Sequence, residues 1–85
     1  MYTLYILLCS DKSLYTGITN NLQNRLKKHK EGKGSKYVRA RLPFMLIFTE
    51  EHADRSAAQK RELQIHGWTR AQKINNLNLD IKTVE

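Results

Sequence analysis

Two β-prone runs, "TLYILLC" (residues 3–9) and "SLYTGI" (13–18), are separated by only the three residues "SDK". So short a break leaves room for a tight turn, and the pair reads as a β-hairpin. A three-residue loop built from a type I turn and a bulge favours glycine at its last position, so Lys12 is expected to carry mild strain there. The loop length also decides which side chains share a face. An odd loop that pairs Cys9 with Ser13 sets Leu7 opposite Tyr15 and Tyr5 opposite Gly17. Both tyrosines then lie on one face as diagonal neighbours. A two-residue loop would send them to opposite faces. The sequence alone leaves both registers open.

Beyond the hairpin, a helix is expected to begin near Thr19 or Asn20, either of which can accept a hydrogen bond from first-turn amides. It should run to Lys30 or Glu31 and stop at Gly32. "GKGSKYVRARLP" reads as a loop or partly ordered arm ending at Pro43. "FMLIFTE" (44–50) is a nearly continuous apolar run of strand length, suited to the buried centre of a sheet. Asp54 or Ser56 can cap a helix over roughly 55–67 that Gly67 closes, and Thr69 can cap another over roughly 70–78. The remainder reads as a tail (79–85). The fold class is α+β, a small antiparallel sheet with helices packed against it, in a single domain.

At 85 residues the chain can bury one modest core, and 40% apolar with 27% charged residues suits a folded domain. No apolar run approaches the roughly 20 residues a membrane-spanning helix needs. The apolar start lacks the basic n-region and cleavage site of a signal peptide, so a cytoplasmic location with no membrane association is expected. The single cysteine, Cys9, excludes an internal disulfide and a Cys-based zinc site, and its apolar surroundings suit a core thiol. The net charge of +7 is concentrated in "RLKKHKEGKGSKYVRAR" (25–41), which holds eight basic residues and one acid, Glu31. A patch this dense points to a polyanionic partner, of which nucleic acid is the commonest.

Some polar residues break the apolar pattern. On a helical wheel Leu22, Leu26 and His29 fall within about 60° of one another, with Arg25 about 60° from Leu22. An imidazole and a guanidinium therefore sit on or beside a core-facing stripe. The plain reading is a half-buried histidine at a helix C-terminus and a snorkelling arginine. In the next long helix Ala58, Glu62 and Ile65 share a stripe flanked by Arg61 and His66. A carboxylate there needs a cation: an internal ion pair with Arg25 or Arg61, or a metal ion held by one carboxylate, waters and substrate phosphate. Together with Tyr5 and Tyr15 these groups suit phosphodiester hydrolysis. A phenolate or imidazole can accept a proton from water, an arginine can stabilise growing negative charge, and a metal can polarise the phosphate.

The same residues resemble the GIY-YIG nuclease family. The first half of its motif is represented by "TLY" (3–5) and the second by "YTG" (15–17), ten residues after Tyr5. Arg25 follows ten residues past Tyr15, His29 one turn on, and Glu62 lies in "AAQKRELQIH" where the family places its metal-binding glutamate. The run "LYTGITNNLQNRLKKHKEGKG" is similar to the small stand-alone bacterial members, and the resemblance covers about residues 2–73. Thr3 stands in place of the motif's first glycine. The resemblance implies a three-stranded antiparallel sheet with flanking helices and one divalent ion, Mg2+ or Mn2+, at Glu62. It also implies that Tyr5 and Tyr15 act around the attacking water, with Arg25 on the phosphate and His29 nearby. The expected activity is metal-dependent, structure-selective DNA cleavage, on branched or flap DNA, in repair or recombination, with RNA as a further ligand. Lys27, Lys28, Lys33, Lys36, Arg39 and Arg41 would grip the backbone, and Tyr37 would stack on an exposed base. Two rival readings are a non-catalytic nucleic-acid-binding module and a partner-dependent subunit docking through Trp68.

Overall fold

In the computed structural model, which describes residues 1–79, the hairpin adopts the odd-loop register. Strand β1 (Tyr2–Cys9) pairs antiparallel with β2 (Leu14–Thr19), setting Leu7 opposite Tyr15 and Tyr5 opposite Gly17. Lys12 takes the left-handed conformation (φ 72°) that the turn demands. Two local bonds offset that strain: the Asp11 carboxylate accepts from the Ser13 amide, and the Lys12 amide donates to the Cys9 carbonyl.

A third antiparallel strand, β3 (Phe44–His52), pairs with the other side of β1, giving the order β2-β1-β3. Here the apolar run misleads. It suggests the centre of the sheet, yet β1 holds that place and β3 lies at an edge, with Met45 and Leu46 exposed. β1 is the strand that is apolar on both faces, from Leu4 to Cys9. The ladder shifts between Ile6–Phe48 and Leu7–Leu46, so Ile47 is an extra residue in β3.

Helix α1 (Leu22–Lys30) starts later than Thr19 or Asn20. Thr19 stays in β2 and spends its hydroxyl on the Asn21 amide, and Asn21 becomes the cap by accepting from the Asn24 amide. Gly32, at φ +76°, turns the chain just beyond the helix. The segment expected to be an arm contains a one-turn helix, α2 (Lys36–Arg39), capped by Ser35 and anchored by the fully buried Val38. Asp54 caps α3 (Arg55–His66), which Gly67 follows, and Thr69 caps α4 (Arg70–Asn76) in a reciprocal box with Gln72. Leu79, expected in the tail, is buried in the core; the rest of that segment lies outside the described residues.

Strand alternation divides the core in two. Leu4 and Ile6 join Ile65 of α3, and Ile74 and Leu77 close in from the α4 region. On the opposite face Tyr5 and Leu7 join Val38 of α2, with Leu22 and Leu26 of α1 against them. The sheet is thus covered on both faces, α1 and α2 on one and α3 and α4 on the other. Among the described residues no helix is long and apolar enough to cross a membrane.

Candidate active site

The face carrying Tyr5 is not an ordinary hydrocarbon core. The Tyr5 side chain crosses over β2 opposite Gly17, and a Cβ at residue 17 would lie 2.5 Å from the phenol oxygen. Only glycine leaves room for the ring there. The Tyr5 hydroxyl shares a buried hydrogen bond of 2.9 Å with Nε2 of His29, which the last turn of α1 delivers from above the sheet. Gly34 closes the far side: a Cβ there would meet the His29 Nδ1 at 2.5 Å. Nδ1 itself is buried without a partner among the described residues. Tyr15 completes the cluster, its ring 6.3 Å from Tyr5 and edge-on to His29 at 5.5 Å. Phe44 meets His29 edge-on from β3.

Exposure separates the two phenols. Tyr5 and His29 are each 1% exposed, whereas Tyr15 is half-buried. Burial pushes the Tyr5 phenol far above its ordinary value; neighbouring Tyr15 and the Glu62 carboxylate add to this and the Arg25 guanidinium opposes it. Tyr5 is therefore a neutral phenol at pH 7. His29 is pushed below its usual 6.5, first by burial and then by Arg25, so it is a neutral imidazole held for hydrogen bonding. Arg25 thus acts electrostatically on both members of the buried pair.

Glu62 comes from α3, on the other side of the sheet, and is half-buried between the fully buried Ala58 and Ile65. Among the described residues it forms neither a hydrogen bond nor an ion pair. The expected internal pair with Arg25 or Arg61 is not made. Arg61 instead bonds Glu50 of β3 at 3.0 Å and Gln64 at 2.8 Å, and lies over the Trp68 ring. Burial pushes the Glu50 carboxyl up, but the hydrogen bonds and charges of Arg61 and His52 together hold it below its ordinary range. No group of three or more His, Cys, Asp or Glu residues that could hold a metal occurs among the described residues. The donor set fits a hard divalent ion only in its sparest form, one carboxylate completed by water and substrate oxygens. Glu62 meets that requirement because among the described residues no cation pairs with it.

The basic residues fall into two groups. Lys27 and Lys28 are exposed on α1, and Lys33, Lys36 and Arg39 border a cleft of about 400 Å3 with Gly32, Gly34 and Ser35. Arg41 is engaged internally: it bonds Asp11 at 2.9 Å and covers the Tyr37 ring at 3.8 Å. The same Tyr37 ring stacks on Tyr15 at 5.8 Å. A base could stack on Tyr37 only by displacing one of these neighbours. Trp68 is half-buried against the Leu4–Ile65 cluster.

The family model described as the GIY-YIG catalytic domain matches residues 1–75. The chain belongs to the GIY-YIG family. That family is one of nucleases. A UPF0213 protein of Streptococcus sanguinis is 51% identical over 71 residues, spanning 84% of this chain and 82% of that protein. Another, from Lactiplantibacillus plantarum, is 46% identical over 84 residues, covering 95% and 83%. Among solved structures, the solution structure of a UPF0213 protein from Bacillus halodurans superposes with TM-score 0.61 at 38% identity, covering 92% of this chain and 84% of that one. That of a protein from E. faecalis gives 0.67 at 39%, covering 91% and 82%. These names describe small stand-alone proteins and assign no specific activity.

In this GIY-YIG domain the five side chains singled out by sequence are not equivalent. Tyr5, Tyr15 and His29 are in contact, Arg25 acts on the buried pair, and Glu62 reaches Tyr5 through its field rather than through a bond. Sequence reasoning missed two residues. Gly34, which seals His29, lies in a segment that reads as a loop or partly ordered arm. Glu50, which occupies Arg61, lies on a strand too far away in sequence for any local pattern to suggest it.

Proposed function

We propose that this protein is a divalent-metal-dependent endonuclease that hydrolyses DNA phosphodiester bonds, selecting branched or flap structure over sequence, in repair or recombination. The observation that carries this reading is the sealed Tyr5–His29 hydrogen bond with Tyr15 at its accessible edge and Arg25 acting on it. A buried polar pair contributes little net stability, so its cost is understood if it orients a reacting group. Tyr15 is the phenol that solvent reaches, and its oxygen would accept the hydrogen bond from the attacking water. Tyr5 and His29 would fix the ring of Tyr15 and the shape of the wall behind it. Arg25 would hold the phosphate and stabilise the charge that grows on it. A Mg2+ or Mn2+ ion at Glu62 would supply Lewis-acid polarisation of the phosphate and neutralise the leaving oxygen. Lys27, Lys28, Lys33, Lys36 and Arg39 would bind flanking backbone, a contact that carries no sequence information.

One observation favours a second reading. Tyr5 and His29 are almost fully enclosed, as they would be in a nucleic-acid-binding module that keeps the fold without cutting. Incubating wild-type protein and Glu62→Ala with branched and linear DNA in Mg2+ or Mn2+ separates the two. Cleavage of branched DNA by wild type and its loss in Glu62→Ala is the expected result. Unchanged cleavage in the variant removes Glu62 from the chemistry; binding without cleavage by either protein establishes the module.

A further inference from the structure

A second cleft, of about 220 Å3, lies at the end of β2. It is lined by Tyr2, Ile18, Thr19, Asn20, Arg25 and Arg55. Two guanidiniums therefore border one small space, Arg25 from the helix on one face of the sheet and Arg55 from the first residue of α3 on the other. Among the described residues neither side chain makes a hydrogen bond or ion pair, although Arg41 and Arg61 both do. Like charges brought to one cleft repel, and among the described residues no carboxylate forms an ion pair with either. Arg55 is also at the end of its helix where the backbone dipole disfavours a cation, and the first turn of α3 holds no acidic residue. The neighbouring cap, Asp54, accepts from the Ala57 amide. The Arg25 charge also acts on Tyr5 and His29, so an anion between the two arginines would lie near the proposed phosphate position.

We infer that this cleft binds a second phosphate of the same nucleic-acid strand, with Arg55 as its main ligand and Arg25 shared between the two phosphates. The inference rests on the nuclease reading for the identity of the first phosphate alone. Its own content is that Arg55 binds nucleic-acid phosphate. Occupying the cleft would fix the strand on both sides of Arg25 and so set which bond is presented. A guanidinium suits this role because its planar donors can bind two phosphate oxygens at once.

The test is DNA binding in chelator, by fluorescence anisotropy across a salt series, for wild type, Arg55→Gln, Arg55→Lys and Lys60→Gln. Lys60 is exposed on the same helix and lines no part of the cleft, so it controls for loss of one charge. Arg55→Gln should weaken binding several-fold and flatten the slope of log K against log salt by about 0.7–0.9, the value of one phosphate contact. Arg55→Lys should recover part of the affinity, and Lys60→Gln should change the slope less than Arg55→Gln. In oligonucleotides carrying one uncharged methylphosphonate each, one position should weaken wild type and leave Arg55→Gln unaffected. Equal behaviour of Arg55→Gln and Lys60→Gln, with no such position, overturns the inference, as does a wild-type protein that binds no DNA. The binding assay needs no catalysis. A protein that never cuts but shows the Arg55 effect refutes the nuclease reading and keeps the cleft; one that cuts without an Arg55 effect does the reverse.

Discussion

On one face of the sheet Leu4, Ile6, Ile65 and Leu79 form a cluster made only of hydrocarbon side chains; on the other, Tyr5, Leu7 and Val38 enclose a phenol bonded to an imidazole. The buried cluster of the first face needs apolar volume and little else, although its helix α3 also carries the half-buried Glu62 and the exposed Arg55. The second needs particular shapes: glycine at 17 to admit the Tyr5 ring, glycine at 34 to admit His29, and an aromatic partner at Tyr15. Hydrocarbon in the same space would stabilise the fold at least as well as a half-satisfied polar pair. The difference therefore separates the hydrocarbon cluster, which holds the domain together, from the enclosed polar pair, which stability alone does not explain.

Substitutions on the two faces should consequently fail in different ways. The largest stability loss is expected on the hydrocarbon face. Ile65→Ala removes a fully buried side chain and should lower the unfolding free energy by about 2–5 kcal/mol in urea titrations. DNA affinity should be unchanged at temperatures where the variant is folded, and a specific loss of affinity would break the division of labour. Next comes Gly34→Ala, whose new methyl would collide with the His29 ring. Overpacking of that kind should cost about 1–3 kcal/mol and lower Tm. An unchanged Tm would mean that the loop moves freely and does not seal the imidazole. Tyr5→Phe keeps the ring but strips the hydroxyl, leaving Nε2 of His29 without its partner. About 1–2 kcal/mol should be lost, the cost of one orphaned buried group.

The smallest effect is one of pH. His29 resists protonation in the folded state, so the unfolded chain binds more protons and stability rises with pH. The contribution is intact above the ordinary imidazole value of 6.5 and is lost as pH falls through 6.5 toward the lower folded value. Urea titrations between pH 7.5 and roughly 5 should show that decline in wild type and a shallower one in His29→Gln. An identical slope in both proteins would remove His29 from the account.

Much of this arrangement was legible in local chemistry. The sequence reduced the hairpin to two registers, and the structure takes the odd-loop one, which brings Tyr5 and Tyr15 to one face. Asp54 and Thr69 mark helix starts because their side chains have amides three residues on to accept from. The failures arise where distant partners decide. "FMLIFTE" is apolar enough for a sheet centre, but strand order depends on which neighbour each strand finds, and β1 found two. The α1 boundary moved because Thr19 had a competing use for its hydroxyl. Glu62 kept its place on the wheel, yet one of its two expected partners, Arg61, is captured by Glu50 across the fold. Arg55 gave no signal at all, since only the assembled sheet brings it to the same cleft as Arg25.

On the proposed reading, the polar face serves chemistry at Tyr15 rather than stability. Single-turnover cleavage of a branched DNA, measured beside the urea unfolding of the same samples, tests it directly for wild type and Tyr15→Phe. The half-buried Tyr15 hydroxyl makes no hydrogen bond among the described residues, so its removal should leave the unfolding free energy within about 0.5 kcal/mol. Cleavage should fall by about 10²-fold or more, the usual worth of a positioned proton acceptor. A Tyr15→Phe protein that cuts as fast as wild type would contradict the account.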